Sequence, residues 1–540
     1  MRRAGYLGCL TAWVRLRIVR RAVYCLRNTT QVRPRRLNTA WRNAPKVRIL
    51  LRLQIQRLLN KVRHVKDFAV DQSHQPKPIR QASLVSRTLS EWKTLALLGG
   101  PILVAQLAQM ANGVIDTIMA GHASAEDLSG VAIGTSLWVP LFLFFMGALS
   151  ALQPIISGYR GSNTLNRVMP ITWQGLYIAA GAAVLIILFL VNVRPILDAL
   201  QLETNTARIT QGYLSAFAWG IPAILVFAAL RGLTDGLGHT KAFMAFSLLG
   251  TGMNLPLNYI LIYGKLGMPE LGGIGCGWAT AISNWVAVTG FIIYLNRSRH
   301  YSRFHLIDDW VKPHWADIQY VLKLGVPIGF TIFIEASVFS VIALFLAPLG
   351  PVVVAGHQIA LNVVSLVFMV PLSLGMALTL RISFLIGAKA TDAARLNARS
   401  SLVLVMAIAA VYATLFFLGS DLIARLYTSD PEVRAVAGLL LAYAAIFQIA
   451  DVMQVTCISA LRGYRDTRIP MYIMMLSFWA ICLPLGYVLT FTDWIVPAMG
   501  AAGFWIGLIA GLTSAATLLV IRLFWFSRQP LANLDVPATA

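Results

Sequence analysis

Three acidic residues interrupt long apolar runs and are the side chains best placed to bind or exchange a cation. Glu335 lies near the middle of segment 325–350, and Asp451 and Asp116 lie in two other apolar segments. About 20 apolar residues suffice to cross a bilayer, and an acid at mid-membrane costs about 2.5–3.5 kcal/mol on translocon scales. So costly a residue predicts a functional site. The competing interpretation is a neutral glutamic acid in a helix–helix hydrogen bond.

The depth of each acid follows from the basic residue that flanks its segment, at about 1.5 Å per helical residue. Glu335 follows Lys323 by 12 residues, about 18 Å, and Asp451 precedes Arg462 by 11 residues, about 16 Å. Asp116 lies about 35 Å beyond the lysine before its own segment. We therefore expect two sites, with Glu335 and Asp451 paired near mid-membrane and Asp116 nearer the outer surface.

A second set of polar residues accompanies Asp116. Gln106, Gln109 and Asn112 precede it at steps of three and four residues, which places all four on one helix face. Such a face must point into protein or water rather than lipid. We therefore expect Gln109 to support the site around Asp116.

Prolines and asparagines mark further positions in the apolar segments. Asn254 and Asn258 are one turn apart and bracket Pro256, which frees a backbone carbonyl. Amide and carbonyl oxygens beside a carboxylate suit a cation or a proton relay, although interhelical hydrogen bonding is the alternative. Pro101 and Pro327 occupy matching positions in two apolar segments, roughly 95–120 and 321–347, which predicts that both helices bend there as the protein works.

The composition is that of a polytopic membrane protein. Of 540 residues, 57% are hydrophobic and 12% are charged, whereas a soluble domain carries about 25% charge. The five cysteines have no paired or metal-type spacing, and no GxxxxGK[ST] phosphate loop or metal-ligand cluster occurs in the sequence. We therefore expect a transporter driven by an ion gradient, without a cofactor, rather than an enzyme.

The net charge of +23 belongs mainly to the first part of the chain. Residues 1–93 hold 22 of the 45 Lys and Arg but only three acids, and we expect them to be a basic extension, disordered or lying on the membrane surface. Segment 46–68 has the pattern of a basic amphipathic helix on an anionic leaflet. Nucleic-acid binding is a competing interpretation, and a dispensable or over-extended N-terminus is the one we favour.

Twelve apolar segments follow, joined by short loops. They are roughly 95–120, 131–159, 170–192, 209–230, 241–263, 274–295, 321–347, 353–380, 401–419, 435–460, 470–490 and 499–525. With the N-terminus inside, the inner loops and the C-terminal end carry 18 Lys and Arg against five in the outer loops. The positive-inside rule therefore predicts two cytoplasmic termini in an inner or plasma membrane, with residues 529–540 as a cytoplasmic tail.

An internal repeat divides the segments into two halves. Leu98-Gly99-x-Pro101 recurs 226 residues later as Leu324-Gly325-x-Pro327, and Leu255-Pro256-Leu257 recurs 228 residues later as Leu483-Pro484-Leu485. Ala229-Leu230-Arg231-Gly232 also recurs at 460–463, a shift of 231. The repeat predicts an all-α membrane protein of two six-helix lobes, 94–312 and 313–528, related by an axis along the membrane normal.

Four stretches resemble one known family. VIDTIMAG (114–121), IEASVFSVIALFLAPLG (334–350), AGHQIALNVVSLVFMVPLSLG (355–375) and ADVMQVTCISALRGYRDT (450–467) are similar to the multidrug and toxic compound extrusion (MATE) family, NorM branch. The resemblance implies two lobes around a central cavity and export of cationic, often aromatic drugs in exchange for H⁺ or Na⁺. A monomer in membrane lipid, without a nucleic-acid partner, is expected.

The resemblance also implies roles for single residues. Glu335 and Asp451 correspond to the cation-coupling acids of the C-terminal lobe, with Na⁺ as a possible ligand. Asp116, Asn254 and Asn258, and more loosely Thr280, correspond to the polar site of the N-terminal lobe. Where similar proteins can carry a tyrosine, this chain has Phe447, which favours H⁺. A lipid-linked oligosaccharide flippase and an integral-membrane enzyme are the alternative functions.

Overall fold

The computed structural model describes residues 84–304, 306 and 310–529. Within these residues the chain is helical and has no β-strand, so the predicted all-α membrane fold is confirmed. The interpretations of the basic segment 46–68 and of most of the C-terminal tail lie outside the described residues.

Twelve candidate membrane spans make up most of the described residues. Eleven helices are long and apolar enough to cross a membrane, and a twelfth span is a helix pair bent by 45°. The spans are α1 Leu84–Ala123, α2 Ala125–Gly161, α3 Leu165–Val191, α4 Thr204–Ala218 with Ile221–Gly236, α5 Thr240–Ile262, α6 Gly273–Arg297, α7 Trp315–Leu346, α8 Pro351–Gly387, α9 Thr391–Tyr427, α10 Pro431–Gly463, α11 Arg468–Phe491 and α12 Ala501–Ser527. A short helix, Arg194–Ala199, precedes α4.

Several spans extend beyond the apolar runs that predict them. The first helix begins at Leu84, whereas the apolar run begins near residue 95. The added turns contain polar residues, and some of these interact with the other half of the molecule, as Glu91 does through a salt bridge with Arg381. With 37 residues, α8 is about 55 Å long and exceeds a hydrocarbon core of about 30 Å.

The two largest apolar cores of the described residues correspond to the two lobes. The first is formed mainly by α1–α6 and the second by α7–α12. The exceptions lie in the first part of each lobe's first helix: Leu95 of α1 belongs to the second core, while Val321, Leu324 and Ile328 of α7 belong to the first. The first helix of each lobe therefore begins against the core of the other lobe.

Backbone geometry repeats in the two halves. Gly272 before α6 has φ 55° and ψ −136°, and Gly500 before α12, 228 residues later, has φ 57° and ψ −137°. A side chain rarely adopts this geometry, which explains glycine at both positions. The left-handed residues after α4 and α10 are Gly238 and Arg465, a shift of 227. The ALRG match at a shift of 231 is therefore offset by one helical turn.

The lobes pack against each other at one end of the bundle, which we call the base, where α1 begins and α12 ends. A Cβ atom added to Gly147 of α2 would lie 2.7 Å from Cα of Gly329 in α7, so the two helices meet through glycine. Near the end of α2, Ser157 Oγ donates to the Leu380 carbonyl of α8 at 2.7 Å. The serine contact lies close to the ends of α2 and α8, whereas the glycine contact lies near the middle of α7.

Candidate functional site

A closed hydrogen-bonded ring surrounds Asp116 in the first lobe. The carboxylate accepts from Asn258 Nδ2 at 2.6 Å and from Thr280 Oγ1 at 3.1 Å. Asn258 Nδ2 also donates to Asn254 Oδ1 at 3.0 Å, and Asn254 Nδ2 donates to Thr280 Oγ1 at 3.2 Å. The structure thus brings together the four residues that the family resemblance assigns to the polar site of this lobe.

The ring is buried and contains unused acceptors. Asp116 is 8% exposed, and Asn254 and Asn258 are fully buried. The Oδ1 atoms of Asn258 and of Asn112, one turn before Asp116, are buried and accept no hydrogen bond from the described residues. A carboxylate with amide and hydroxyl oxygens around it offers the oxygen ligands that a proton or a hard cation requires.

Helical spacing explains how α5 contributes to this ring. Asn254 and Asn258 are four residues apart and point into the lobe, while Leu255 and Tyr259 are about half exposed on the other side. Helix α5 continues through Pro256 without a break in its assignment. Proline nevertheless has no N–H to offer the carbonyl four residues earlier, so that backbone oxygen is free for another partner.

Two glutamines of the predicted polar face do not join the ring. Gln106 Oε1 instead accepts from Arg231 Nη1 at 3.0 Å. Gln109 is exposed and forms no hydrogen bond with the ring residues. The reason is axial distance, because Gln109 lies seven residues, about 10 Å, from Asp116 along α1. Gln109 does not contact the ring in this conformation, and its support of Asp116 stays a prediction.

The second lobe holds Glu335 on α7 and Asp451 on α10. Asp451 is 3% exposed and Glu335 is partly buried. The two carboxylates are close enough to interact electrostatically, and Glu335 also interacts with Arg462. No described residue donates a hydrogen bond to either carboxylate. In the sequence Arg462 marks the membrane edge and belongs to the repeat at 460–463, and neither feature indicates an interaction with Glu335.

A third polar cluster joins the lobes at the base. Arg381 of α8 donates to both carboxylate oxygens of Glu91 at 2.7 and 2.8 Å, and Asn397 Nδ2 of α9 donates to Glu91 at 2.7 Å. The neighbouring Trp92 Nε1 donates to the Ser400 carbonyl at 3.0 Å. Glu91 falls within the predicted extension 1–93, and an isolated acid among its 22 Lys and Arg is the signal in the sequence for a buried partner.

The three predicted helix-bending prolines lie inside continuous helices in the described residues. Pro101 is in α1, Pro256 in α5 and Pro327 in α7. The Pro327 carbonyl accepts from Thr331 Oγ1 at 2.8 Å. Bending at these positions during transport stays a prediction. Among the described residues, no group of three or more His, Cys, Asp and Glu side chains could hold a metal ion.

Comparison with known proteins gives two matches of one family pattern to this chain. The MatE pattern matches residues 101–260 and 327–488, one copy in each lobe. The chain belongs to the MatE family. It is 45% identical over 439 residues to a probable multidrug resistance protein NorM of Idiomarina loihiensis, covering 81% of this chain and 95% of that protein. It is 41% identical over 447 residues to the multidrug resistance protein MdtK of Photorhabdus laumondii, covering 83% and 98%.

Solved structures of MATE transporters share the fold. The eukaryotic transporter AtDTX14 aligns with a TM-score of 0.74 at 19% identity, over 82% of this chain and 97% of that chain. VcmN of Vibrio cholerae in its bent form aligns with a TM-score of 0.73 at 19% identity, over 82% and 98%. Membership of the MatE family confirms that the chain is a membrane transporter and not an enzyme.

Proposed function

We propose that this MatE protein exports cationic or aromatic compounds by antiport against H⁺ or Na⁺. Its curated relatives are named multidrug resistance proteins, which supports efflux of drug-like molecules. The observation that carries the antiport proposal is that each lobe contains a buried carboxylate site: Asp116 in its ring, and Glu335 with Asp451. Lobes that meet at the base can then expose these sites to one side at a time.

The pair in the second lobe is suited to a small cation. Two carboxylates in electrostatic contact repel each other, so a proton or Na⁺ bound there lowers the energy of the pair. Arg462 supplies a fixed positive charge near Glu335 and limits how many cations the pair can hold. One charge moving down 100 mV yields about 2.3 kcal/mol, which drives about fifty-fold accumulation.

Proton coupling is the form of the mechanism that we favour. Phe447, one turn before Asp451, has no oxygen to coordinate Na⁺ and packs instead on Trp505 at a ring distance of 5.7 Å. A proton needs a single carboxylate oxygen, whereas Na⁺ needs several oxygen ligands. Of the two sites, the ring around Asp116 is better suited to a metal cation, because it has unused amide oxygens.

We propose that the base faces the cytoplasm and that both termini lie there, in the inner membrane. The Lys and Arg bias of the loops supports this orientation. With the lobes packed at the base through Glu91 and Arg381, the described conformation then corresponds to a transporter closed toward the cytoplasm. The chain would act as a monomer surrounded by lipid.

The test is ethidium efflux from membrane vesicles under an imposed pH gradient, with and without Na⁺. We expect efflux that follows the pH gradient, and we expect Glu335→Gln and Asp451→Asn to abolish it with normal membrane insertion. Asp421→Asn is the matched control, because this acid pairs with Arg425 on the exposed surface of α9 and should not be needed. Wild-type efflux by both site variants would refute the mechanism, and efflux that requires Na⁺ but ignores pH would refute proton coupling.

A further inference from the structure

Gln448 is a fully buried amide whose polar atoms are unused. It is 0% exposed on α10, and neither Nε2 nor Oε1 has a hydrogen-bond partner among the described residues. Gln454, two turns later on the same helix, is also buried, but its Nε2 donates to Met474 Sδ at 3.3 Å. Of these two glutamines, only Gln448 has both ends of its amide free.

An unpaired amide at this position is costly to the fold. Burial of an amide without a hydrogen bond costs about 1–3 kcal/mol by protein mutational measures, and α10 packs against α8, α9 and α12 in the core of its lobe. An apolar side chain of similar size would avoid that cost. Either the amide has a hydrogen-bond partner in another state of the transport cycle, or its burial is a cost that nothing offsets.

The acid nearest along the helix is Asp451, three residues later. Side chains at this spacing lie on one face with Cβ atoms about 5–6 Å apart, which is within reach of a glutamine after a rotamer change. No described residue donates to the Asp451 carboxylate. In the first lobe, by contrast, an amide and a hydroxyl donate to Asp116. Asp451 lacks the amide partner that Asp116 has.

Other titratable groups lie in the second lobe. They include Glu335 on α7, His357 on α8, Tyr412 on α9, Cys482 on α11 and, on α10 itself, Tyr443, Cys457 and Arg462. His357 is occupied on one side, because its Nδ1 accepts from Trp505 Nε1 at 3.2 Å. When Glu335 is ionised, it repels the Asp451 anion and has no hydrogen to donate to it.

We propose that Gln448 is a positioning residue for Asp451 that serves both of its charge states. When Asp451 is ionised, Gln448 Nε2 donates to the carboxylate. When Asp451 carries the transported proton, its O–H donates to Gln448 Oε1. The proton itself passes between Asp451 and water in the cavity, and the amide keeps its own hydrogens throughout. This inference rests on the proposed antiport function.

The test is Gln448→Met, which keeps the side-chain size and removes the amide. The hydrogen bond to the ion is the stronger of the two bonds, so the anion loses more than the neutral acid. We expect the pH of half-maximal ethidium efflux to rise by about one unit, a tenfold change in proton affinity. The melting temperature in detergent should stay equal or rise. Gln448→Asn, which keeps an amide one methylene shorter, should restore part of the shift.

Gln454→Met is the matched control and should leave the pH profile unchanged. An unchanged profile in Gln448→Met overturns the proposal, whether or not its melting temperature moves. A lower melting temperature with an unchanged profile assigns Gln448 a structural role instead. The Asp451→Asn variant separates the antiport mechanism from the role of Gln448. If Asp451→Asn transports normally, the antiport mechanism itself is wrong. If Asp451→Asn is inactive while Gln448→Met is unaffected, only the role of Gln448 is wrong.

Discussion

Glu91 joins the lobes at the base through three hydrogen bonds, so Glu91→Gln should favour a conformation in which the base is open. The substitution removes the charge and leaves one acceptor oxygen for Arg381 and Asn397. A hydrogen bond to a charged group is worth about 1.5–3 kcal/mol, but the side chains of Glu91 and Arg381 are 14% and 22% exposed, which screens part of that energy. We expect a net loss of about 2 kcal/mol, which shifts the equilibrium about thirty-fold.

The assay is a distance measurement across the base between spin labels, in a background with the five cysteines replaced. Asn166, in the first turn of α3, and Arg528, after α12, are exposed positions on different lobes and suit the labels. We expect the Glu91→Gln protein to gain a population with a longer distance between the labels. Drug efflux should slow, because the return to the base-closed conformation becomes unfavourable.

An exposed ion pair of similar chemistry provides the control for the base cluster. Asp392 pairs with Arg395 at 3.2 Å within α9, and its side chain is 94% exposed. Such pairs contribute about 0–1 kcal/mol, so Asp392→Asn should leave the distance distribution unchanged. If Glu91→Gln and Asp392→Asn both give the parent distribution, the cluster does not hold the base closed and the energy estimate above is wrong.

Three further predictions follow from single contacts. Asn258→Leu removes the donor at 2.6 Å from Asp116 and should lower drug resistance of a hypersensitive host at least tenfold with normal expression; resistance at the parent level would contradict a role for the ring. Deletion of residues 2–82 should leave drug resistance unchanged, whereas deletion of residues 2–92 also removes Glu91 and should lower resistance. Equal resistance of the two deletion variants would contradict a role for the Glu91 contact at the base. Gly329→Val should lower the melting temperature by several degrees, because its Cβ would meet the Phe144 carbonyl of α2; an unchanged value would show that the helices can separate at no cost.

Hydrophobic run length and repeated motifs were sufficient to predict the spans and the two lobes. An apolar run of about 20 residues has few alternatives to a spanning helix, because unpaired backbone groups are too costly in lipid. The ends of the helices were harder to predict. The first turns of α1 are polar, and their helical structure depends on partners such as Arg381, which is 290 residues away from Glu91 in sequence.

Sequence spacing predicted some of the residues of the polar sites but not all of them. Asn254, Asn258 and Asp116 could be assigned from spacing and resemblance because each lies at the same level as its partners. Gln109 shares the helix face of Asp116 but lies two turns from it, and periodicity alone does not measure that axial distance. Gln448 gave no signal at all in the sequence, because an amide in an apolar helix becomes informative only when its hydrogen bonds can be counted.

The repeat duplicates the helices but not the ion sites. At the shift of 226 that relates α1 to α7, Glu335 corresponds to Gln109 and Asp116 corresponds to Ile342. The acids therefore lie at different levels of equivalent helices. Asp116 has amides and a hydroxyl as neighbours, whereas Glu335 has a second carboxylate and an arginine. A property measured for one site cannot be transferred to the other by symmetry, because the pseudo-two-fold axis relates their scaffolds and not their chemistry.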